Sequence, residues 1–316
     1  MTKDTTNPTQ GEQSGQNGRR TVLVTGGTGK TGRRVAARLR ERGVPVRAVS
    51  RSAEVPFDWS EPDTWEAALD GVGAAYLAYA PDISMPGAAP DLGAFARRAA
   101  QRGVGRVVLL SGRGMTETAG PAERAVREAV EGTGTEWVIL RGDWFAQNFS
   151  EEFFAEEMRA AGTFTFPGGE VPSPFIDLED LAEVAAAALT APEGYAGQVH
   201  ELTGPRPVTY GQAMKEISAA TGREFRYVAV STAAYLDLLV AQGLPEDFAR
   251  MFGAVIDETL DGRNARPTDT VARLLGRPPR DFAAYAARAA AEHAWDPAPG
   301  HGTGAGEAAG QGGARG

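Results

Sequence analysis

The residues best suited to chemistry are the glycines of Thr25-Gly-Gly-Thr-Gly-Lys-Thr-Gly32, spaced Gly26-x-x-Gly29-x-x-Gly32. Glycine lets a backbone reach φ > 0 and approach an anion closely. An apolar run, Val22 to Val24, enters this turn, and a helical pattern, Thr31 to Arg42, leaves it. Strand, glycine turn and fresh helix N-terminus make a receptor for a dinucleotide pyrophosphate, because free N–H groups and the positive dipole end face the charge. The spacing departs from G-x-G-x-x-G, so the motif rests on context as much as on pattern. An ordinary glycine-rich strand–helix turn is the plainer alternative. A P-loop is the sharper rival, because Gly29-Lys30-Thr31 matches the end of G-x-x-x-x-G-K-[ST]; it requires glycine where Val24 stands.

An NAD site usually carries Asp or Glu about twenty residues past the loop, for the ribose 2′-hydroxyl. Here the second strand, Val44 to Ser50, ends in Arg51, and Glu54 is the first acid. A guanidinium there suits a 2′-phosphate. Arg33 can assist, and the pattern favours NADP(H). Each arginine taken alone also reads as a solvated surface residue.

Apolar strands alternating with helices from 21 to about 141 predict an α/β fold, a doubly wound parallel Rossmann sheet covered on both faces. Ligands then bind beyond the carboxyl ends of the strands. Those ends are Thr25–Gly32, Ser50-Arg51, Asp58-Trp59, Tyr79–Pro81, Ser111–Gly114 and Arg141–Phe145. Counting a short run at 55–59 as a strand makes 135–141 the sixth. Asp58 can hydrogen-bond adenine and Trp59 pack on it; Trp59 reads equally as core. After 145 the alternation stops. Residues 145–160 read as one aromatic-rich helix, 164–169 as a turn, 179–190 as an alanine-rich helix, and 198–203 as a strand returning to the sheet. Helices at 209–221, 232–242, 245–260, 268–275 and 281–294, with a strand at 224–230, complete a smaller C-terminal α/β region. The expected division is a cofactor domain over 21–150 and a substrate region over 151–296, with disordered tails at 1–20 and 297–316.

Composition bounds the rest. Cysteine is absent, which excludes disulfides and a thiolate nucleophile, and the three histidines show no H-x-x-x-H pair, so no metal is expected. A net charge of −9 argues against nucleic acid as a partner. Without an apolar leader or an 18-residue apolar run, a cytoplasmic protein with no membrane segment is expected, monomer or homodimer.

The loop, the Arg51 strand end, Leu140-Arg-Gly-Asp-Trp-Phe-Ala-Gln-Asn148, Phe175-Ile-Asp-Leu-Glu-Asp-Leu-Ala182 and Leu275-Gly-Arg-Pro-Pro-Arg-Asp-Phe282 resemble NmrA-like atypical short-chain dehydrogenases. Trp144-Phe145 with Asn148-Phe149-Ser150 is most similar to the festuclavine and agroclavine dehydrogenase branch. The resemblance spans roughly 21–290. It implies NADP(H), with Gly26, Thr28, Gly29, Lys30, Thr31 and Gly32 at the pyrophosphate and Arg51 at the 2′-phosphate. Asp58 and Trp59 would border adenine, and Ala80, Pro81 and Ser111 would run beside ribose and nicotinamide. The family commonly has Arg-Pro where this chain has Arg141-Gly142.

Ketone-reducing relatives use Tyr-x-x-x-Lys, the tyrosine as proton donor. This chain has three lysines, Lys3, Lys30 and Lys215, and none follows a tyrosine at that spacing. Two readings follow. One is an enzyme that reduces a C=N or activated C=C/C=O bond of a small aromatic or hydrophobic molecule, where hydride addition to an iminium needs no proton donor. Tyr79, Ser111 and Asp143 are its polar candidates, Asp143 for a cationic substrate or simply as a helix cap. Trp144, Phe145, Asn148 and Phe149 are its substrate-lining candidates, although a helical aromatic stripe also reads as core. The other is a non-catalytic NADP(H) sensor that regulates a protein partner.

Overall fold

The computed structural model describes residues 20–151, 153–191 and 193–297. The expected tails at 1–20 and 297–316 lie, apart from Arg20 and Pro297, outside the described residues. In chain order the elements are β1 (Thr21–Val24), α1 (Lys30–Glu41), β2 (Val46–Ala48), α2 (Trp65–Leu69), β3 (Val72–Leu77), α3 (Ala88–Gln101), β4 (Arg106–Gly112), α4 (Gly120–Val130) and β5 (Glu136–Gly142). Then follow α5 (Phe153–Ala161), β6 (Thr163–Phe166), α6 (Leu178–Thr190), β7 (Gln198–Leu202), α7 (Tyr210–Thr221) and β8 (Arg226–Ala229). The helices α8 (Thr232–Ala241), α9 (Glu246–Thr259), α10 (Thr270–Leu275) and α11 (Phe282–Ala291) complete the chain.

Six parallel strands pair in the order β2-β1-β3-β4-β5-β7. Strand side chains alternate between two cores. Leu23, Leu77, Leu109 and Ile139 pack under α2, α3 and α4. Val22, Val24, Tyr76, Val108 and Leu140 pack under α1 and α6. Burial on both faces explains the continuous apolar strands. The chain leaves β2 on one side of β1 and crosses to β3 on the other, so β1 and β3 flank the topological switch point.

A third core is aromatic and C-terminal. Phe149, Phe164, Phe166, Phe175, Tyr210 and Phe282 meet there, with Phe164 stacked on Tyr210 at 5.8 Å. Beside it β6 and β8 form a separate two-stranded parallel ladder.

Three expectations need correction. The run at 55–59 joins no ladder; one isolated bridge, Ser50 to Pro56, is all it forms, since Pro56 has no N–H to donate. The strand at 136–142 is therefore the fifth. The helix expected over 145–160 is broken into a 3-10 turn, Ala146–Phe149, and α5. The turn expected at 164–169 begins as strand: Thr163-Phe-Thr-Phe166 alternates intermediate and buried positions and pairs with β8.

Two of the segments that carried the family resemblance meet in space. Asp177 caps α6 by accepting the Glu179 N–H at 2.9 Å. Asp180, wholly buried, is held by Arg277 at 2.7 Å and by Arg280, and Glu183 binds the same two arginines. These residues clamp the C-terminal chain to α6. No helix among the described residues is long and apolar enough to cross a membrane.

Candidate functional site

The glycine turn closes through the Gly29 N–H, which donates to the Gly26 carbonyl at 2.8 Å. Gly26 takes φ +62°. A Cβ on Gly32 would lie 2.1 Å from that same carbonyl oxygen, so only glycine lets the first turn of α1 sit on the loop. Gly29 caps α1 with no side-chain hydrogen bond, and no acid stands in the first turn. The helix end is thus left to an anion. Thr25 ties the loop to the switch point: its Oγ1 accepts the Ala78 N–H at 2.9 Å and donates to Tyr76 O at 3.2 Å.

Around this cradle the expected cofactor residues take these places. Thr28 and Gly29 are exposed, Thr31 is buried in the first turn of α1, and Lys30 donates to Asn148 Oδ1 at 2.9 Å. Arg51 is exposed beyond β2 and makes no hydrogen bond among the described residues. Arg33 is drawn instead to Glu151 at 2.6 Å. Asp58 accepts from the Ser60 N–H and hydroxyl, which with the Arg51 charge hold its carboxyl below the usual range. Trp59 is 6 % exposed, donates to Ala78 O at 3.2 Å and packs edge-on against Phe57, Trp65 and Phe95. Ala80 and Pro81 are exposed beyond β3, joined by a cis bond. The cradle, the bare helix end and the exposed guanidinium fit NADP(H).

The polar candidates are committed to neighbours. Tyr79 donates to Asp91 at 2.7 Å, and burial, then Asp91, pushes its hydroxyl pKa up. Ser111 donates to Glu123 at 2.6 Å, and Arg141 grips the same carboxylate at 2.9 and 2.6 Å. Asp143 is 4 % exposed. It accepts from Ser173 at 2.5 Å, from the Trp144 N–H at 2.9 Å and from Arg113 at 3.1 Å. Burial outweighs these partners and pushes its carboxyl up to about 6. Arg113 also reaches Glu201 and the carbonyls of Asn264 and Arg266, so this buried ion pair pins the 264–266 segment to the sheet.

The substrate candidates come together. Trp144, Phe145, Asn148 and Phe149 line one narrow aromatic cleft of about 10 Å³, room for about a single water, with Phe175 and Tyr210 among its other walls. Gly142 gives Phe145 room: a Cβ there would lie 3.0 Å from the Phe145 ring and 3.1 Å from Leu181. The Lys30–Asn148 contact joins this cleft to the first turn of α1. Tyr79, Ser111 and Asp143 do not line it.

A larger open groove of about 540 Å³ lies beside α1 and α11. Its five arginines, Arg33, Arg34, Arg38, Arg280 and Arg288, are each paired with a carboxylate. We read it as an ionic seam, because each of these arginines already has a carboxylate partner.

Sequence reasoning missed Glu123, Arg113 and Tyr210. Glu123 and Arg113 look like surface charges, and only their distant partners bury them. Tyr210 follows the Thr209 cap and carries no local mark of burial.

These geometries agree with comparison to known proteins. A family described as NAD(P)H-binding matches residues 26–192. An uncharacterized oxidoreductase of Bacillus subtilis is 37 % identical over 279 residues, 85 % of this chain and 95 % of the relative. Agroclavine dehydrogenase of Claviceps fusiformis is 30 % identical over 281 residues, 84 % of this chain and 96 % of the relative. The Escherichia coli NADPH-dependent quinone oxidoreductase QOR2, solved with NADPH, shares the fold with a TM-score of 0.70 at 22 % identity, over 84 % of this chain and 99 % of that one. The chain belongs to the NAD(P)H-binding family and, with agroclavine dehydrogenase, to a family of NAD(P)H-dependent oxidoreductases.

Proposed function

We propose that the protein is an NADPH-dependent reductase of a small aromatic or hydrophobic molecule, acting on a C=N or activated C=C/C=O bond without a Tyr-x-x-x-Lys pair. The observation that carries this is the junction of the glycine cradle and the aromatic cleft at Lys30 and Asn148, 2.9 Å apart. The N–H groups of the loop and α1 would hold the pyrophosphate, and Arg51 the 2′-phosphate. Asp58 and Trp59 would bound the adenine end; Ala80, Pro81 and Ser111 would lie along the ribose and nicotinamide. Bound NADPH supplies a hydride equivalent. The chain's own part would be to open this narrow cleft for a flat substrate beside Trp144 and Phe145 and keep water out, so positioning does most of the catalytic work. Tyr79 is occupied with Asp91 and does not supply a proton in this scheme. The substrate region over 151–296 supplies the outer wall through Phe164, Phe166, Phe175 and Tyr210. A small molecule in the cytoplasm, met by a monomer or homodimer and not by nucleic acid, is the partner this site suits.

Titration with NADPH and NADH tests the cofactor assignment. Arg51→Ala is expected to weaken NADPH about tenfold or more, the value of a lost charge-assisted contact, and to leave NADH within twofold. Equal losses for both cofactors would remove Arg51 from the 2′-phosphate.

A further inference from the structure

Helix α9 reaches from the C-terminal region over the cofactor domain. Its Val255 is buried in the core under α2, α3 and α4, and half-buried Met251 packs against that core. Among the described residues these are the two members of that core from beyond residue 145. The same core takes in Ile83, from the chain after β3, and Met115, from the chain after β4. A Cβ on Gly112 would lie 1.9 Å from the Met115 sulfur, so Met115 sits over the last residue of β4. Two catches hold α9 to the same two loops. The Glu258 carboxylate accepts the Glu117 N–H at 2.7 Å, the Thr118 N–H at 3.2 Å and the Thr118 hydroxyl at 2.7 Å. The Met251 sulfur sits against the Ser84 hydroxyl. The helix thereby roofs the carboxyl ends of β3 and β4, where Ala80, Pro81 and Ser111 would meet ribose and nicotinamide.

The far side of α9 hangs on α8. A Cβ on Gly253 would lie 2.6 Å from Leu236, and Thr232 donates to Asp257 at 2.9 Å. Tyr235 and Leu239 seat α8 in the aromatic core, joined there by Ile256 of α9. The chain enters α9 past Gly243 at φ +97° and leaves it past Gly262 at φ +88°. A glycine therefore stands at each end to absorb a rotation. The aromatic cleft is tied to the same helix: Trp144, one of its walls, donates its indole N–H to Thr259 at 3.2 Å. With room for about one water, the cleft admits a ring only when a wall moves, and Trp144 is the wall that α9 holds. Under the roof, Met115 and Met251 are unbranched side chains that can change rotamer and make way.

We propose that α9 is a lid over the nicotinamide end of the cofactor, closed in this structure by Glu258 and Met251, and that it lifts to admit substrate and release Trp144. This rests on the reductase reading and adds how its site opens.

The test exploits the absence of cysteine from the chain. Met115→Cys puts a single thiol beneath α9, and Ile83→Cys repeats the measurement from the other loop should the first variant unfold. Val35→Cys, under α1 on the opposite face of the sheet, is the control. Reaction with the thiol reagent DTNB on the full chain reads opening, and thermal melts check that each variant is folded. Adding Glu258→Ala is expected to speed labelling at position 115 about tenfold or more, the value of a lost charge-assisted hydrogen bond, and to leave position 35 within about twofold. Saturating NADPH is expected to slow labelling at 115 several-fold, because the nicotinamide would lie over that thiol. A Thr118→Cys/Glu258→Cys pair joined by a short bis-maleimide is expected to lose the NADPH consumption that the unjoined pair retains. Labelling at 115 unmoved by Glu258→Ala or by NADPH, or equal turnover by the joined and unjoined pairs, would overturn the proposal. Faster labelling with Glu258→Ala and protection by NADPH, without turnover of any acceptor by the wild type, would instead sink the reductase reading and leave the lid standing.

Discussion

Replacing Gly32 with alanine should separate cofactor binding from folding. The new Cβ would lie 2.1 Å from the Gly26 oxygen, 2.7 Å from the Gly26 carbon and 3.0 Å from the Thr25 oxygen. All three are backbone atoms, so no side chain can turn aside. Ordinary contact requires the loop to retreat from α1 by about 1 Å, the scale on which packed backbones resist insertion. The Gly26 oxygen also accepts the Gly29 N–H at 2.8 Å, and its retreat strains the bond that shapes the turn. Overpacking costs about 1–3 kcal/mol and a weakened hydrogen bond about 1 kcal/mol more, a loss a domain of this size survives. The pyrophosphate loses more. One charge-assisted N–H contact is worth about 1.5–3 kcal/mol, so NADPH affinity should fall between about tenfold and a hundredfold. Gly105→Ala is the control: its Cβ meets nothing nearer than 3.5 Å, at the opposite end of the sheet. Fluorescence titration with NADPH, beside thermal melts of both variants, gives the comparison. A folded Gly32→Ala variant that binds NADPH within threefold of the wild type would refute the cradle.

Two further outcomes follow from the buried charges. The Asp143 carboxyl titrates near 6 when folded, against about 3.9 in an unfolded chain, so the folded state holds its proton more tightly. The stability this gives is full below about pH 4 and is lost as pH rises through 6, roughly 3 kcal/mol in all. Urea denaturation from pH 4 to 7 should show the wild type losing that much relative to Asp143→Asn, and a flat difference would contradict it. Glu123 accepts from Ser111 and from both Arg141 nitrogens, so Glu123→Gln places an amide N–H against a donor. It should cost about 3 kcal/mol in urea denaturation, partly recovered in a double variant with Arg141→Met, and a loss under 1 kcal/mol would show that the network is slack.

What the sequence disclosed follows from how far each signal reaches along the chain. The loop was legible because strand, glycines and helix are contiguous, and Gly32 needs only Gly26 to explain it. The aromatic cleft was half legible. Trp144, Phe145, Asn148 and Phe149 lie within six residues, but Phe175 and Tyr210 join them through the tertiary fold. Phe164-Thr-Phe166 could have been read as strand from its alternation, and the glycines that follow drew the reading toward a turn. The roles of Ser111, Asp143 and Tyr79 were beyond reach, because each is decided by a partner 12 to 30 residues away. The segments at 175–182 and 275–282 resembled the family strongly for a structural reason: their acids and arginines clamp α6 to the C-terminal chain.

The most direct test of the central claim is consumption of NADPH, followed at 340 nm, against a panel of aromatic quinones, enones and cyclic imines. The account predicts steady turnover with at least one of them, faster with NADPH than with NADH and lost with Gly32→Ala. Tight NADPH binding with no turnover across the panel would contradict it and favour a cofactor-sensing protein that acts through a partner.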